Sequence, residues 1–385
     1  MKFILAIDSF KGCLSSAEAN EAARSGLLRA LPEASCTCMT LSDGGEGMLQ
    51  AFTQALGGRT VSVDVHDPLM RHATAQLGLC GKTAIIETAQ ACGLTLLEKD
   101  ERNPMAATSF GAGELIAEAV KSGCDRCIIG LGGSATSDGG VGMLQALGYT
   151  FTGKDGKDIP PGAGGGMLST IAGIRHGHET DALKGITFTV ASDVGNPLYG
   201  TLGAAHVFAP QKGADARSVA LLDEGLRHWA TVCGREAEAG RQGAGAAGGM
   251  GFAIQTFLKG ETQSGADLLL GLNRFDTLAS QATAVITGEG SSDRQTLMGK
   301  LPFKVLQHAR RLGTPVWLLA GHIDDGDRLL QSGFGRVACI NPEGCDLHNA
   351  MKKEVAAGRI AATTFGWAGE LGAPANAHTR RNHPE

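Results

Sequence analysis

The sequence predicts an α/β fold of two domains, and three observations lead there. The chain has 385 residues, beyond the roughly 250–300 at which single hydrophobic cores stop growing. Short apolar runs alternate with helical patterns at both chain ends, and polar, functional-looking residues stand where the runs stop. The 57 glycines gather at the junctions of these segments, as tight βα turns require, so they do not signal disorder. Aromatic residues are only 5% of the chain, so the core must be mostly aliphatic and alanine.

The elements follow in order. Residues 3–7 are a continuous apolar run suited to a strand covered on both faces, broken by Asp8-Ser9-Phe10-Lys11-Gly12. Ser15 and Glu18 have capping-box spacing and open a helix through Leu31, which Pro32 helps to end. Residues 36–41 read as a strand running into Asp43-Gly44-Gly45-Glu46-Gly47, with a helix over 48–56. Further on, residues 83–87 and 127–131 read as strands and 109–122 as a helix, while the strand 186–191 delivers Asp193. Near the other end, 284–287, 315–320 and 336–340 read as strands, 302–312 as a helix, and 288–293 and 321–326 as loops.

Both ends therefore read as βαβ units. We expect a Rossmann- or flavodoxin-like parallel-sheet domain formed by residues 1–65 plus 284–372, and a second α/β domain inserted over 66–283. The active site is expected in the cleft between them, and the polar tail over 373–385 is expected to fray.

Bulk properties exclude several function classes. Net charge is −5 from 34 basic and 39 acidic residues mixed along the chain, which argues against nucleic-acid or polybasic membrane binding. No apolar stretch approaches the roughly 20 residues needed to span a bilayer, and no secretory signal precedes the first strand. A cytoplasmic protein with ten reduced thiols is the expectation. Cys124-x-x-Cys127 and Cys36-x-Cys38 lack a second pair to complete a zinc site, so they read as small buried core residues.

The richest stretch is Gly132-Gly133-Ser134-Ala135-Thr136-Ser137-Asp138-Gly139-Gly140, set between an apolar run and an amphipathic one. A strand breaking into glycines before a helix presents bare N–H groups to an anion, with the positive end of the helix dipole behind them. Asp138 adds a carboxylate that could hold a metal ion. The loop at 43–47 and another at 243–251 frame it, and three such loops suggest a ligand with several phosphates. Gly81-Lys82-Thr83 is not a P-loop, because Gln76 stands where the first glycine belongs. Gly130-x-Gly132-x-x-Ala135 fits a relaxed dinucleotide fingerprint, but the acidic position about 20 residues on, Asp155, lies in a polar turn.

From end to end the chain resembles the bacterial type I glycerate kinases. The carriers are Asp8-Ser9-Phe10-Lys11-Gly12, Asp43 to Gly47, Gly132 to Thr136, Asp193-x-x-Asn196-Pro197-Leu198, Pro210-Gln211-Lys212-Gly213, the loop 243–251, and Gly288-Glu289-Gly290 with Asp293. Cys13, Ser137, Gly195 and Ser291 stand where that pattern has serine, asparagine, a polar residue and arginine. Phe110 stands where tyrosine or arginine is common. The arginine missing at 291 removes a phosphate or carboxylate partner. The resemblance implies phosphoryl transfer from ATP to D-glycerate with Mg²⁺, giving 2-phosphoglycerate rather than 3-phosphoglycerate.

The residues supply what such chemistry needs: a phosphate cradle, cations against developing charge, and a group to orient the attacking hydroxyl. Gly132, Gly133, Ser134, Thr136, Gly248 and Gly249 are the candidate cradle. Lys11, Lys212 and Lys300 are the candidate cations, although a loop lysine is commonly just a solvated charge. Asp193 is the first choice of base and Asp8 the second. Asp43, Glu46 and Asp193 suit Mg²⁺, with Glu289 and Asp293 in reserve and Asp293 equally a turn former. Ser9 is a candidate substrate contact. For the glycerate carboxylate, Arg71, Arg102 and Arg294 are unranked candidates. His66, His72 and His206 show no partner in the sequence. A sugar-acid binding protein and a nicotinamide dehydrogenase are the competing classes; nucleotide binding separates the first, NAD(P) binding without a magnesium requirement the second. A homodimer is compatible with the chain but not readable from it.

Overall fold

The computed structural model describes residues 1–42, 44–45, 47–294 and 296–372. The strands in chain order are β1 (Lys2–Ile7), β2 (Ser35–Cys38), β3 (Arg59–His66), β4 (His72–Cys80), β5 (Thr83–Glu87), β6 (Arg126–Gly130), β7 (Tyr149–Gly153), β8 (Ile171–His176), β9 (Thr187–Ala191), β10 (Glu261–Gln263), β11 (Ala284–Ser292), β12 (Val316–Ile323) and β13 (Arg336–Cys339). The chain divides into two compact units, Met1–Thr40 with Arg274 onward, and Leu41–Asn273.

These boundaries fall earlier than the sequence suggested at 65/66 and 283/284. The reason is pairing. β3 is antiparallel to β4 along its whole length, and the helix Met48–Ala55 packs on β4 and β5, so residues 41–65 lie with the second unit. The helix Phe275–Ala279 goes the other way: Thr314 Oγ1 donates to the Ala279 carbonyl (2.8 Å), and Phe275 meets His308 edge-on. The tail expected to fray lies outside the described residues.

In the first unit the sheet order is β13-β12-β11-β1-β2, parallel throughout. Counted along the chain these strands run 2-1-3-4-5, the doubly wound flavodoxin-like order, whose switch point lies between β1 and β11. The core is aliphatic, from Leu5, Ile7, Ile286 and Leu319, with Trp317 and Trp367 packed edge-on. The helix Ser16–Ala30 opens with the expected capping box: Ser15 Oγ accepts from Glu18 N (3.3 Å), and Glu18 Oε2 accepts from Ser15 N (2.8 Å).

The segments 288–292 and 321–323, expected as loops, are strand. Ser291 and Ser292 pair with His322 and Ile323. The glycines here admit a neighbouring strand instead of ending one, since a Cβ at Gly288 would lie 2.3 Å from the Leu319 carbonyl oxygen.

In the second unit the order is β10-β9-β6-β5-β4-β3, with β5, β6, β9 and β10 parallel and β3 and β4 antiparallel; β7 and β8 form a separate antiparallel pair. The antiparallel half was not foreseen. On β3 burial alternates, with Val63 and Val65 inward, the pattern of a sheet with one wet face. Cys124 and Cys127 are buried thiols, as expected. Cys38 is exposed, contrary to expectation, because β2 is an edge strand. Among the described residues no helix is long and apolar enough to cross a membrane.

Two glycine substitutions test the helix packing of the first unit. In the helix Ser16–Ala30 a Cβ at Gly26 would lie 2.1 Å from the Ala361 carbonyl oxygen of the helix Lys353–Gly372, whereas Gly358 faces open space. Gly26→Ala should cost about 1–3 kcal/mol by overpacking despite the better helix propensity, and Gly358→Ala should add about 0.5–1 kcal/mol. Urea denaturation of both variants checks the signs.

Candidate active site

The glycine loop of the second unit is built around a buried carboxylate. β6 stops at Gly130, and in the loop that follows Asp138 is fully buried. Its Oδ2 accepts from Ser109 N (2.8 Å), Ser109 Oγ (2.7 Å) and Gly142 N (3.2 Å), and its Oδ1 from Gly140 N (3.1 Å). Burial pushes its pKa up, and the four donors pull against that. Asp138 therefore fills the N-terminus of the helix Val141–Ala146, the place the sequence reserved for an anion, and both its oxygens are engaged by N–H and O–H donors. The Ser109 hydroxyl in turn accepts from Met143 N (2.9 Å), tying in the start of the helix Phe110–Lys121.

What remains for an anion is the first half of the loop and a lysine. Lys212 is 3% exposed; its Nζ donates to the Thr136 carbonyl (2.6 Å) and to Ser134 Oγ (3.2 Å). Burial lowers its pKa from 10.5 to about 8, against the nearby charges of Cys92 and Asp138, which act to raise it. The hydroxyls of Thr136 and Ser137, in the same loop, are buried with no partner among the described residues. A buried ammonium on a loop that also carries unspent hydroxyls leaves hydrogen-bonding capacity unused.

Gly248 and Gly249 have a packing role. Both have positive φ (66° and 98°), and Gly248 lies so close to the loop that a Cβ would sit 2.1 Å from the Thr136 carbonyl oxygen. The Gly248 carbonyl accepts from Gly139 N (3.0 Å). Gly132 likewise admits a neighbour: a Cβ there would be 2.5 Å from Gly45 Cα, and Gly133 has φ 75°. Gly44 approaches the end of β9, 2.3 Å between its would-be Cβ and the Ala191 carbonyl oxygen. Asp193 is exposed just beyond β9. Asp43 and Glu46 lie outside the described residues.

The first unit collects its own polar groups at the switch point. Ile7 pairs with Gly288, so Asp8 and Glu289 follow on adjacent strands, and Asp8 N donates to the Gly288 carbonyl (2.9 Å). Glu289 is 7% exposed; its Oε1 accepts from Thr296 Oγ1 (2.6 Å) and Ser292 Oγ (3.0 Å). Lys300 Nζ bridges Glu289 Oε2 (3.4 Å) and Asp293 Oδ1 (3.5 Å), so this lysine is held by carboxylates instead of standing free for phosphate. Asp293 also forms the turn with Thr296 that its alternative reading required. Ser9 is half-buried, its N–H on Asp8 Oδ1 (2.7 Å), and Lys11 is exposed in the turn that follows.

The candidate arginines differ. Arg71 is spoken for, with Nε on Asp67 Oδ2 (2.6 Å) and Nη1 on Glu101 Oε1 (2.6 Å). Arg294 is exposed, and Arg102 has a buried Nε without a partner among the described residues. His66 does have a partner: its Nδ1 is 2.9 Å from Glu114 Oε1. Sequence reasoning missed Ser109 and also Glu87, a buried acid at the end of β5 whose Oε2 accepts from Leu49 N (3.0 Å). Glu87 carried a readable signal, a charge closing an otherwise apolar strand. Ser109 carried none. Among the described residues no three His, Cys, Asp or Glu groups are arranged around a common metal position.

A sequence profile described as the glycerate kinase family matches residues 3–365. The chain belongs to the glycerate kinase family. It is 40% identical to the glycerate kinase of Bacillus subtilis (strain 168) over 358 residues, 91% of this chain and 93% of that one. It is also 40% identical to the glycerate 2-kinase of Escherichia coli (strain K12) over 330 residues, 84% and 86% of the two chains. The crystal structure of a provisionally assigned glycerate kinase 2 from Salmonella typhimurium LT2 superposes with a TM-score of 0.84 at 37% identity, covering 97% of this chain and 98% of that one. Membership of the family makes the protein an enzyme, a kinase.

Lys212 makes this site's electrostatics measurable. The unfolded chain keeps the lysine proton up to its ordinary 10.5 and the folded chain only to about 8, so between these values the unfolded state binds more protons. Stability contributed by this group therefore rises with pH across that window. Relative to Lys212→Met, the wild type should gain stability from pH 8 to pH 10 in urea titrations.

Proposed function

We propose that the protein transfers the γ-phosphoryl group of ATP to the 2-hydroxyl of D-glycerate, yielding 2-phosphoglycerate and ADP, in the cytoplasm. The observation that carries this reading is the buried Lys212 ammonium held on Ser134 Oγ and the Thr136 carbonyl of the glycine loop. The Escherichia coli relative's description as a glycerate 2-kinase supports the regiochemistry.

In this reading the phosphates lie along Gly132, Gly133 and Ser134, where backbone N–H groups and hydroxyls donate to them. Lys212 exchanges its bond to the Thr136 carbonyl for a phosphate oxygen and is fully charged in that setting, since a phosphate favours the ammonium. The 2-hydroxyl oxygen attacks the γ-phosphorus, the bond to the β,γ-bridging oxygen breaks, and ADP leaves with that oxygen. Asp193 takes the hydroxyl proton, with Asp8 as the second candidate. Lys11 supplies further positive charge, and Ser9 and Arg294 contact glycerate.

The carboxylates of Glu289 and Asp293 suit Mg²⁺, because a cation, the Lys300 ammonium, already bridges them and hydroxyls lie alongside. Asp43, Glu46 and Asp193 are the other candidate ligands. Bound Mg²⁺ would neutralise phosphate charge as it shifts to the leaving oxygen.

³¹P NMR of the protein with ATP, Mg²⁺ and D-glycerate should show a 2-phosphoglycerate resonance growing with ADP. A 3-phosphoglycerate resonance would correct the regiochemistry, and intact ATP would overturn the reading. Asp193→Asn should lower kcat at least about 100-fold with the fold retained by circular dichroism; wild-type turnover in that variant would remove Asp193 as the base.

A further inference from the structure

A cavity lies in the Leu41–Asn273 unit, at the strand ends opposite those that carry the glycine loop 132–140. It is a half-open cleft of about 610 Å³ at the N-terminal ends of β9 and β10, a size suited to a small organic ligand. Tyr149 and Phe257 give it aromatic walls, their rings 5.3 Å apart and edge to face. His176, Lys184 and Lys259 line it against one acid, Glu261, so basic groups outnumber acidic ones. Lys184 leans on Asp181 at 2.6 Å, while Lys259 has no ion pair among the described residues.

Lys259 also departs from the usual chemistry of its position. It follows the helix Met250–Phe257 with φ 55°, in the left-handed region where a helix end ordinarily places glycine. A long cation is kept there at the cost of backbone strain, on the cavity's wall.

The cavity is joined to the glycine loop by direct packing. Phe257 stacks on the buried Trp229, centroids 5.7 Å apart with planes 7° from parallel. Trp229 Nε1 donates to the Gly139 carbonyl at 3.1 Å. Gly139 fits so closely against the indole that a Cβ would lie 2.7 Å from Trp229 Cδ1. A shift of the Phe257 ring must therefore move the indole or open a void beside it, and the loop backbone rests on that indole.

We propose that this cavity binds a small organic anion with a flat apolar body, which alters the glycine loop through Phe257 and Trp229. The flat body packs on Tyr149 and Phe257, and the anionic group meets Lys259 and Lys184. This goes beyond phosphoryl transfer and does not depend on it.

The probe is 8-anilinonaphthalene-1-sulfonate, a flat aromatic anion, titrated into the full chain by calorimetry and followed by hydrogen exchange. One saturable site is expected, weakened at least about tenfold (about 1.4 kcal/mol) in Lys259→Glu, retained in Lys259→Arg, and accompanied by altered exchange over residues 132–140. Lys184→Glu should weaken it in the same direction, and circular dichroism establishes that each variant is folded. Titration without saturation, or unchanged affinity in both charge reversals, overturns the site. Saturable binding that leaves exchange over 132–140 unchanged overturns the link to the loop. Neither result bears on turnover, so failure here and failure of the kinase reading are distinguishable.

Discussion

Asp138 is a carboxylate taken wholly out of water, and the second unit's loop is arranged around the cost of putting it there. An isolated buried carboxylate is penalised by several kcal/mol; here four N–H and O–H donors are turned toward it. Meeting that demand ties the starts of two helices to one side chain and fixes the path of residues 138–142. Trp229 and Gly248 hold the same loop from other sides, through the Gly139 carbonyl and the Gly139 N–H respectively. The loop is thus tied down where it meets Asp138, while the hydroxyls of Thr136 and Ser137 stay without partners among the described residues.

The first unit solves a different problem. Its strand order brings the ends of β1 and β11 side by side, so Asp8 and Glu289 become neighbours although more than half the chain separates them in sequence. Carboxylates at such a point need positive charge nearby, and Lys300 provides it between Glu289 and Asp293. That arrangement offsets the repulsion between the two carboxylates.

Much of this was legible in the sequence. The continuous apolar run of β1 and the capping box at Ser15 were read correctly, because each is a local signal that needs no distant partner. What was not legible depended on partners distant in sequence. β3 and β4 were missed because antiparallel pairing is set by the partner strand. The strand character of 288–292 was hidden because glycine reads as a break when its neighbour is unknown. Asp138 looked like a ligand until Ser109, 29 residues earlier, supplied the donors that bury it. The ion pairs of Arg71 with Asp67 and Glu101 were not legible, because Glu101 lies 30 residues away. Lys212 was found from its motif, but its burial and lowered pKa come from packing that the motif does not encode.

In the proposed reaction Lys212 and the first half of the glycine loop hold the phosphates, while Asp138 keeps the helix terminus closed to them. A crystal structure with a non-hydrolysable ATP analogue, Mg²⁺ and D-glycerate tests it most directly. The account predicts a phosphate oxygen within hydrogen-bond distance of Lys212 Nζ and Ser134 Oγ, with all four bonds to Asp138 retained. Phosphates seated on the N-terminus of the helix Val141–Ala146 with Asp138 displaced, or Lys212 still on the Thr136 carbonyl with the nucleotide elsewhere, would contradict it.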